Sequence, residues 1–196
     1  MNKNSKFVSS ARTKAALVAI AACIASPAAM AAVVCASPGI SITNSIDGVY
    51  INLVTGATGA SSAAVPGWDL DPYNNGAGLT FYGSASPAGI LATGSPGTSA
   101  ETSVVAAGAP ISPTPAPAFY NQFQTRGTAF QTAGTRFVGI AFLNESTSAI
   151  NYGWLEVVSG ATAGFPATIS RYCYDDTGAG ITAGTTPVTL QNYSVD

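Results

Sequence analysis

Oxygen-bearing side chains crowd two short stretches of the sequence. Asp69-Leu-Asp71-Pro-Tyr-Asn74-Asn75-Gly76 reads as a turn-rich loop, and Asp175-Asp176-Thr177-Gly178 supplies a second acidic turn. A hard cation such as calcium needs several carboxylate and carbonyl oxygens converging from loops of this kind. Asp69, Asp71, Asn74, Asp175 and Asp176 are therefore candidate ligands, with calcium the one cofactor to consider. The spacing misses the EF-hand pattern, and Asp and Asn at such positions commonly cap their own turns instead.

Three further carboxylates, Glu101, Glu145 and Glu156, could pair with Asp69 or Asp71 as the acid and nucleophile of a glycosidase. Such a pair must stand roughly 5 to 9.5 Å apart, a separation that spacing along the chain does not specify. The chain contains no histidine. Imidazole metal sites, Ser-His-Asp triads and Cys-His pairs are thus excluded. With isolated carboxylates usually mere surface groups, the expectation is a protein that is not an enzyme.

The aromatic residues offer a different chemistry. Trp68, Tyr73, Tyr82, Tyr152, Trp154, Tyr172 and Tyr174 could stack on sugar rings, and Trp68, Tyr73, Tyr152 and Trp154 are the strongest candidates for a ligand site. Strand alternation sends Tyr152 and Trp154 to one side of their strand. The competing use of such rings is to fill a core while their polar tips find hydrogen bonds. Assembly is a third possibility. The apolar segment from Ala32 to Thr43 and the strand-forming one from Val188 to Val195 could each add to a neighbour's open sheet edge, where no lysine gatekeeper opposes pairing.

Those groups have to be positioned by an exported chain. Residues 1–14 carry Lys3, Lys6, Arg12 and Lys14 and no acid, an apolar run from Ala15 to Ala25 follows, and Ala29-Met30-Ala31 fits a small-x-small cleavage site. The expected product begins at Ala32. Two alternatives stay open: an uncleaved anchor over Ala15 to Val34, interrupted by Ser26 and Pro27, and a lipobox at Ile20-Ala21-Ala22-Cys23 that would lipidate Cys23. Cleavage leaves Arg126, Arg136 and Arg171 against nine acids, a net charge of −6. A chain so poor in cations cannot neutralise a row of phosphates, which argues against nucleic acid and anionic membrane surfaces as partners. It also leaves no span for membrane insertion.

Cys35 and Cys173 remain in the mature chain. In an oxidising compartment two such thiols usually pair, and a bond between them would close a long loop and tie the first strand to a late one. Neither cysteine has a second ligand in a short motif, which speaks against a metal or redox site.

Beyond the signal segment, short runs of β-branched and aromatic residues recur between Gly, Pro, Asn and Asp clusters. Strands are expected near residues 40–43, 49–54, 79–83, 90–93, 102–106, 128–132, 137–143, 150–158, 168–174 and 188–193. Val138, Ile140 and Phe142 share a face, with Gly139 and Ala141 opposite, as suits a strand whose second face lies against something close. The stretch 84–118 is rich in Pro, Gly, Ser and Ala and is expected to be extended and loop-like. The chain therefore reads as all-β: a single β-sandwich or jelly-roll-like domain over residues 32–196, stapled by one disulfide.

Several segments together carry a resemblance. Val65-Pro-Gly-Trp-Asp-Leu-Asp-Pro-Tyr73, Leu79-Thr-Phe-Tyr82, Arg136-Phe-Val-Gly-Ile-Ala-Phe-Leu-Asn144, Asn151-Tyr-Gly-Trp-Leu-Glu-Val157 and Ala167-Thr-Ile-Ser-Arg-Tyr-Cys-Tyr-Asp-Asp176 resemble uncharacterised exported bacterial proteins, many of which end in a PEP-CTERM sorting tail. The resemblance implies a secreted or surface-attached β-sandwich and supplies no catalytic residues. Here the sequence ends Ser194-Val195-Asp196 without that tail, so anchoring through it is not expected.

The expected function is that of a secreted or cell-surface structural or adhesive protein, a self-assembling fibre subunit whose partner is itself. The alternative is a lectin-like carbohydrate-binding module, assisted by calcium, whose partners are surface glycans.

Overall fold

A computed structural model describes residues 33–85, 89–96, 100–114 and 118–187. The signal segment with Cys23 and the strand expected at 188–193 lie outside these residues. The strands, in chain order, are β1 (Val33–Ala36), β2 (Ile40–Ile42), β3 (Tyr50–Ile51), β4 (Thr58–Gly59), β5 (Leu70–Asn74), β6 (Leu79–Gly83), β7 (Gly89–Thr93), β8 (Glu101–Thr102), β9 (Val104–Val105), β10 (Pro110–Ile111), β11 (Ala118–Tyr120), β12 (Gln124–Arg126), β13 (Gly134–Asn144), β14 (Ala149–Gly160), β15 (Gly164–Asp175) and β16 (Ile181–Thr182). Two 3-10 turns, Ser62–Ala64 and Thr128–Phe130, interrupt them.

Fourteen strands form one sheet in the order β1-β15-β14-β13-β7-β8-β12-β6-β5-β3-β4, with β2 also on β15, β9 on β13 and β11 on β7; β10 and β16 pair separately. The sheet curls over so that its two halves face each other, which makes the fold a β-sandwich. Leu70, Leu79 and Phe81 from β5 and β6 share one core with Val138, Ile140, Leu155, Val157 and Ile169 from β13 to β15. Apolar burial on this scale, at about 25 cal/mol per Å², is what drives such a closure. The curl is latched where Leu79 N–H donates to Ala163 O at the β14–β15 turn.

The antiparallel β13, β14 and β15 are long because their residues are needed on both faces. Their inner faces meet the core, while Trp154 and Cys173 on the outer side pack with Leu91, Val105, Ile111, Ile181 and Ala183 in a second apolar cluster. Gly139 lies against Leu91: an added Cβ would stand 2.9 Å from Leu91 Cδ2, so this strand's second face is indeed closely covered. A bulge at Ser170 shifts the β14–β15 register between Glu156 and Val157. It turns the later part of β15 over, so that Ile169, Tyr172 and Tyr174 all reach the inner core while Cys173 faces outward.

Cys35 and Cys173 stand directly opposite on β1 and β15 and are bonded, 138 positions apart in sequence. Such a bond persists in an oxidising environment. Among the described residues no helix is long and apolar enough to cross a membrane.

Three expectations about local structure are corrected. Leu70–Asn74 is a strand, not part of a loop: Leu70 and Pro72 turn inward and Asp71 and Tyr73 outward, and Pro72, which has no N–H to give, sits where β3 no longer pairs. The run 128–132 forms a 3-10 turn that buries Phe130 rather than a strand. In the stretch 84–118, β7 to β11 include pieces that cover the outer face of β13–β15, so it supplies strands and packing as well as loop.

Candidate functional site

The outer face of β3, β5 and β6 gathers chemistry in one place. Because Leu70 and Pro72 serve the core, the alternate residues Asp71 and Tyr73 project outward, and the β5–β6 register sets Tyr82 directly across from Asp71. Tyr50 joins them from β3, where Ile51 takes the core position. Trp68 enters from the turn before β5. That turn is fastened by a hydrogen bond from Trp68 N–H to Val65 O of 3.1 Å, by the buried Val65 side chain, and by Gly67 at φ +67°.

Asn52 is the hub behind this turn. Its Nδ2 donates to Gly67 O (2.8 Å), Pro66 O (3.2 Å) and Glu145 Oε1 (3.1 Å), while its Oδ1 accepts from the N–H groups of Val54 and Thr55. A buried amide so used fixes the turn to Glu145, which arrives from the β13–β14 connection. It also ends β3 early, since the chain after Asn52 bends into its own side chain instead of continuing the strand expected over 49–54.

Two cavities flank the Trp68 indole. One, about 330 Å³, is bounded by Trp68, Asp69, Tyr82, Ser84, Gln122 and Glu145 among others. Its neighbour, about 470 Å³, is bounded by Tyr50, Trp68, Asp71, Tyr73 and Tyr82, with Ile46 and Ser62 at its margin. Tyr50 meets Trp68 edge-on, with ring centroids 5.0 Å apart and planes at 87°. On its other side Trp68 lies more nearly parallel to Tyr82, at 6.2 Å and 27°. Tyr73 is held by a hydrogen bond from its hydroxyl to Gln124 Oε1 of 3.0 Å.

The acids here are unlike ordinary surface carboxylates. Asp69 is buried, and its Oδ2 accepts from Leu53 N–H at 2.7 Å. Burial nonetheless pushes its pKa up to about 8, outweighing that hydrogen bond, with the charge of Glu145 adding to the rise. Asp71 is raised to about 6, chiefly by burial and further by Asp47, against the opposing hydrogen bonds of the Val49 N–H and the Tyr50 hydroxyl. Its Oδ1 is buried with no hydrogen-bond partner, tucked against Gly48, where φ is +58° and a Cβ would collide with that oxygen. Burial and the nearby Asp71 charge raise the Tyr50 and Tyr73 hydroxyls as well.

The structure divides the residues singled out from sequence. Trp68 and Tyr73 line the cavities. Trp154 is wholly buried against Phe137 with the Arg171 guanidinium 5.1 Å over its ring, and Tyr152 packs on Phe119, so neither belongs to this site. Of the calcium candidates, Asn74 Oδ1 accepts from Gly76 and Gly78 N–H, and Asp175 Oδ1 accepts from Thr177 N–H and its hydroxyl, the turn-capping use of such side chains. Asp176 follows, and its charge adds to the burial that chiefly raises the Tyr174 hydroxyl. Among the described residues no three of His, Cys, Asp or Glu converge to hold a metal ion. Glu156 is engaged by Ser170 (2.6 Å) and Arg171 (3.0 Å), which hold its pKa down, and it lies on the outer face of the other layer, away from Asp71. Glu101 is on β8. Tyr50, Tyr82, Gln122 and Glu145 complete the cavities; Tyr82 was legible as an aromatic on a strand, but only register joins it to Asp71.

No protein-family model, curated protein or solved structure matches the chain.

Proposed function

We propose that this is an exported, cell-surface adhesive protein that binds carbohydrate at the Trp68 site, and that it is kin to the exported bacterial proteins its sequence resembles. One observation carries the sugar reading: a half-buried indole whose 330 Å³ cavity sets Tyr82 and Trp68 beside the polar groups of Ser84, Gln122 and Glu145. Apolar sugar faces stack on such rings while hydroxyls meet such side chains. The disulfide supports the export side of the proposal, since exported proteins are where such bonds endure.

Self-assembly by strand addition drew on the two ends of the mature chain. The first is spent within its own sheet, because β1 and β2 both pair with β15; the second lies outside the described residues. Of the two readings of the sequence, the site's geometry therefore favours the lectin-like alternative over the self-assembling fibre subunit.

The two tryptophans make a test. Trp154 is shielded and Trp68 is not, so a bound glycan should protect only Trp68 fluorescence from acrylamide quenching. On an immobilised glycan panel, Trp68→Ala should lose about tenfold or more in affinity, roughly 1.4 kcal/mol. Equal binding by wild type and Trp68→Ala, or an empty panel, would refute the proposal.

A further inference from the structure

We propose that the cavity walled by Tyr50, Trp68, Tyr73 and Tyr82 and closed by Asp71 binds an organic ammonium group, specifically a methylated ammonium of the kind choline carries. Four rings converge on one space of about 470 Å³, within the range of small-molecule pockets. The perpendicular Tyr50 and Trp68 make a corner, and Tyr82 continues the wall. Aromatic faces carry negative potential and attract a cation placed over them, most strongly where water is excluded.

Asp71 supplies the second, independent observation. It is only 6% exposed, and its Oδ1 has no hydrogen-bond donor. The Val49 N–H and the Tyr50 hydroxyl stabilise this carboxylate in part, but burial outweighs them, and a cation entering the adjoining cavity offsets the cost that remains. No arginine lines the cavity. Arg171 is committed to Glu156 and Arg136 to Thr132 and Ser159, while Arg126 lies on β12.

The lining also selects among cations. A hard metal ion needs several carboxylate and carbonyl oxygens, and this cavity offers a single carboxylate, with one serine and three phenol hydroxyls beside its ring faces. A primary ammonium is a compact, strongly hydrated charge, and ring faces replace its water shell less well than they replace that of a methylated one. A methylated ammonium presents a weakly hydrated, rounded, positively charged surface that matches four ring walls and one carboxylate. The proposed sugar site shares Trp68 but has a different polar wall, so glycan binding without choline binding would overturn this inference and leave that reading standing.

The test compares choline with 3,3-dimethylbutan-1-ol, its uncharged carbon isostere, by titration calorimetry on the intact mature protein. Choline should bind at least tenfold more tightly than the isostere. Asp71→Asn should lose about tenfold for choline and nothing for the isostere. Because the wild-type comparison needs no variant, it decides the matter even if Asp71→Asn fails to fold: equal affinity for the two compounds, or no binding of choline, overturns the proposal. Sedimentation with phosphatidylcholine vesicles then separates the sources. Co-sedimentation that choline reverses upholds the site with a lipid headgroup as its ligand; choline binding without co-sedimentation upholds it with a soluble compound.

Discussion

Asp69 shows how a single residue sets a property of the whole. Its carboxyl is buried, faces the charge of Glu145, and keeps its proton to about pH 8, whereas in the unfolded chain it ionises near 3.8. Between those values the native state binds the proton and the unfolded state does not, so stability falls as pH rises through this window. Below about pH 4 both states are protonated and none of this stability is lost, whereas above about pH 8 the loss is complete. Asp69→Asn keeps an oxygen for Leu53 N–H and removes the titration. Thermal denaturation should therefore show the variant gaining on the wild type from pH 4 to pH 8, by roughly a few kcal/mol at the upper end. A constant difference between the two across that range would contradict the assignment. Glu156 has the opposite tendency: Ser170 and Arg171 lower its pKa, and the stability it adds is lost as the solution is acidified through that lowered value. Both proteins carry Glu156, so its effect cancels in the comparison.

At the scale of elements, β13 was the most readable part of the chain and β5 the least. The alternation of Val138, Ile140 and Phe142 with Gly139 and Ala141 foretold a strand buried on both sides, and Leu91 is the neighbour that makes it so. Gly139→Val should overpack this contact and cost about 1 to 3 kcal/mol in urea denaturation. A variant as stable as the wild type would mean that Leu91 moves aside without cost. In β5, by contrast, Asp, Pro and Asn obscured the alternation, since each is rare in strands taken one residue at a time. Its pairing with β6, fixed by a tight Asn-rich turn, overrides that bias. The aromatic candidates divide for a related reason. Alternation tells that Tyr152 and Trp154 share a face, but not whether another part of the chain covers it. The covering pieces, β9, β10 and β16, are two residues long and sit far away in sequence, which leaves no periodic trace. The cavities beside Trp68 depend on register and on the Asn52 hub, both long-range facts.

For the molecule as a whole, the Cys35–Cys173 bond closes most of the described chain into one loop. Its effect should lie largely in the unfolded state, whose freedom the long loop restricts. Replacing both cysteines by alanine should cost about 2 to 5 kcal/mol in chemical denaturation while leaving the acrylamide accessibility of Trp68 unchanged. Altered Trp68 accessibility in the native variant would show that the bond also shapes the distant face. That face has one more property, which follows from the indole's position as a partition common to two chambers. Guests in the two chambers would meet the same indole from its two sides. If occupancy of one chamber alters affinity in the other, thermodynamic reciprocity obliges each guest to change the other's affinity by an identical factor.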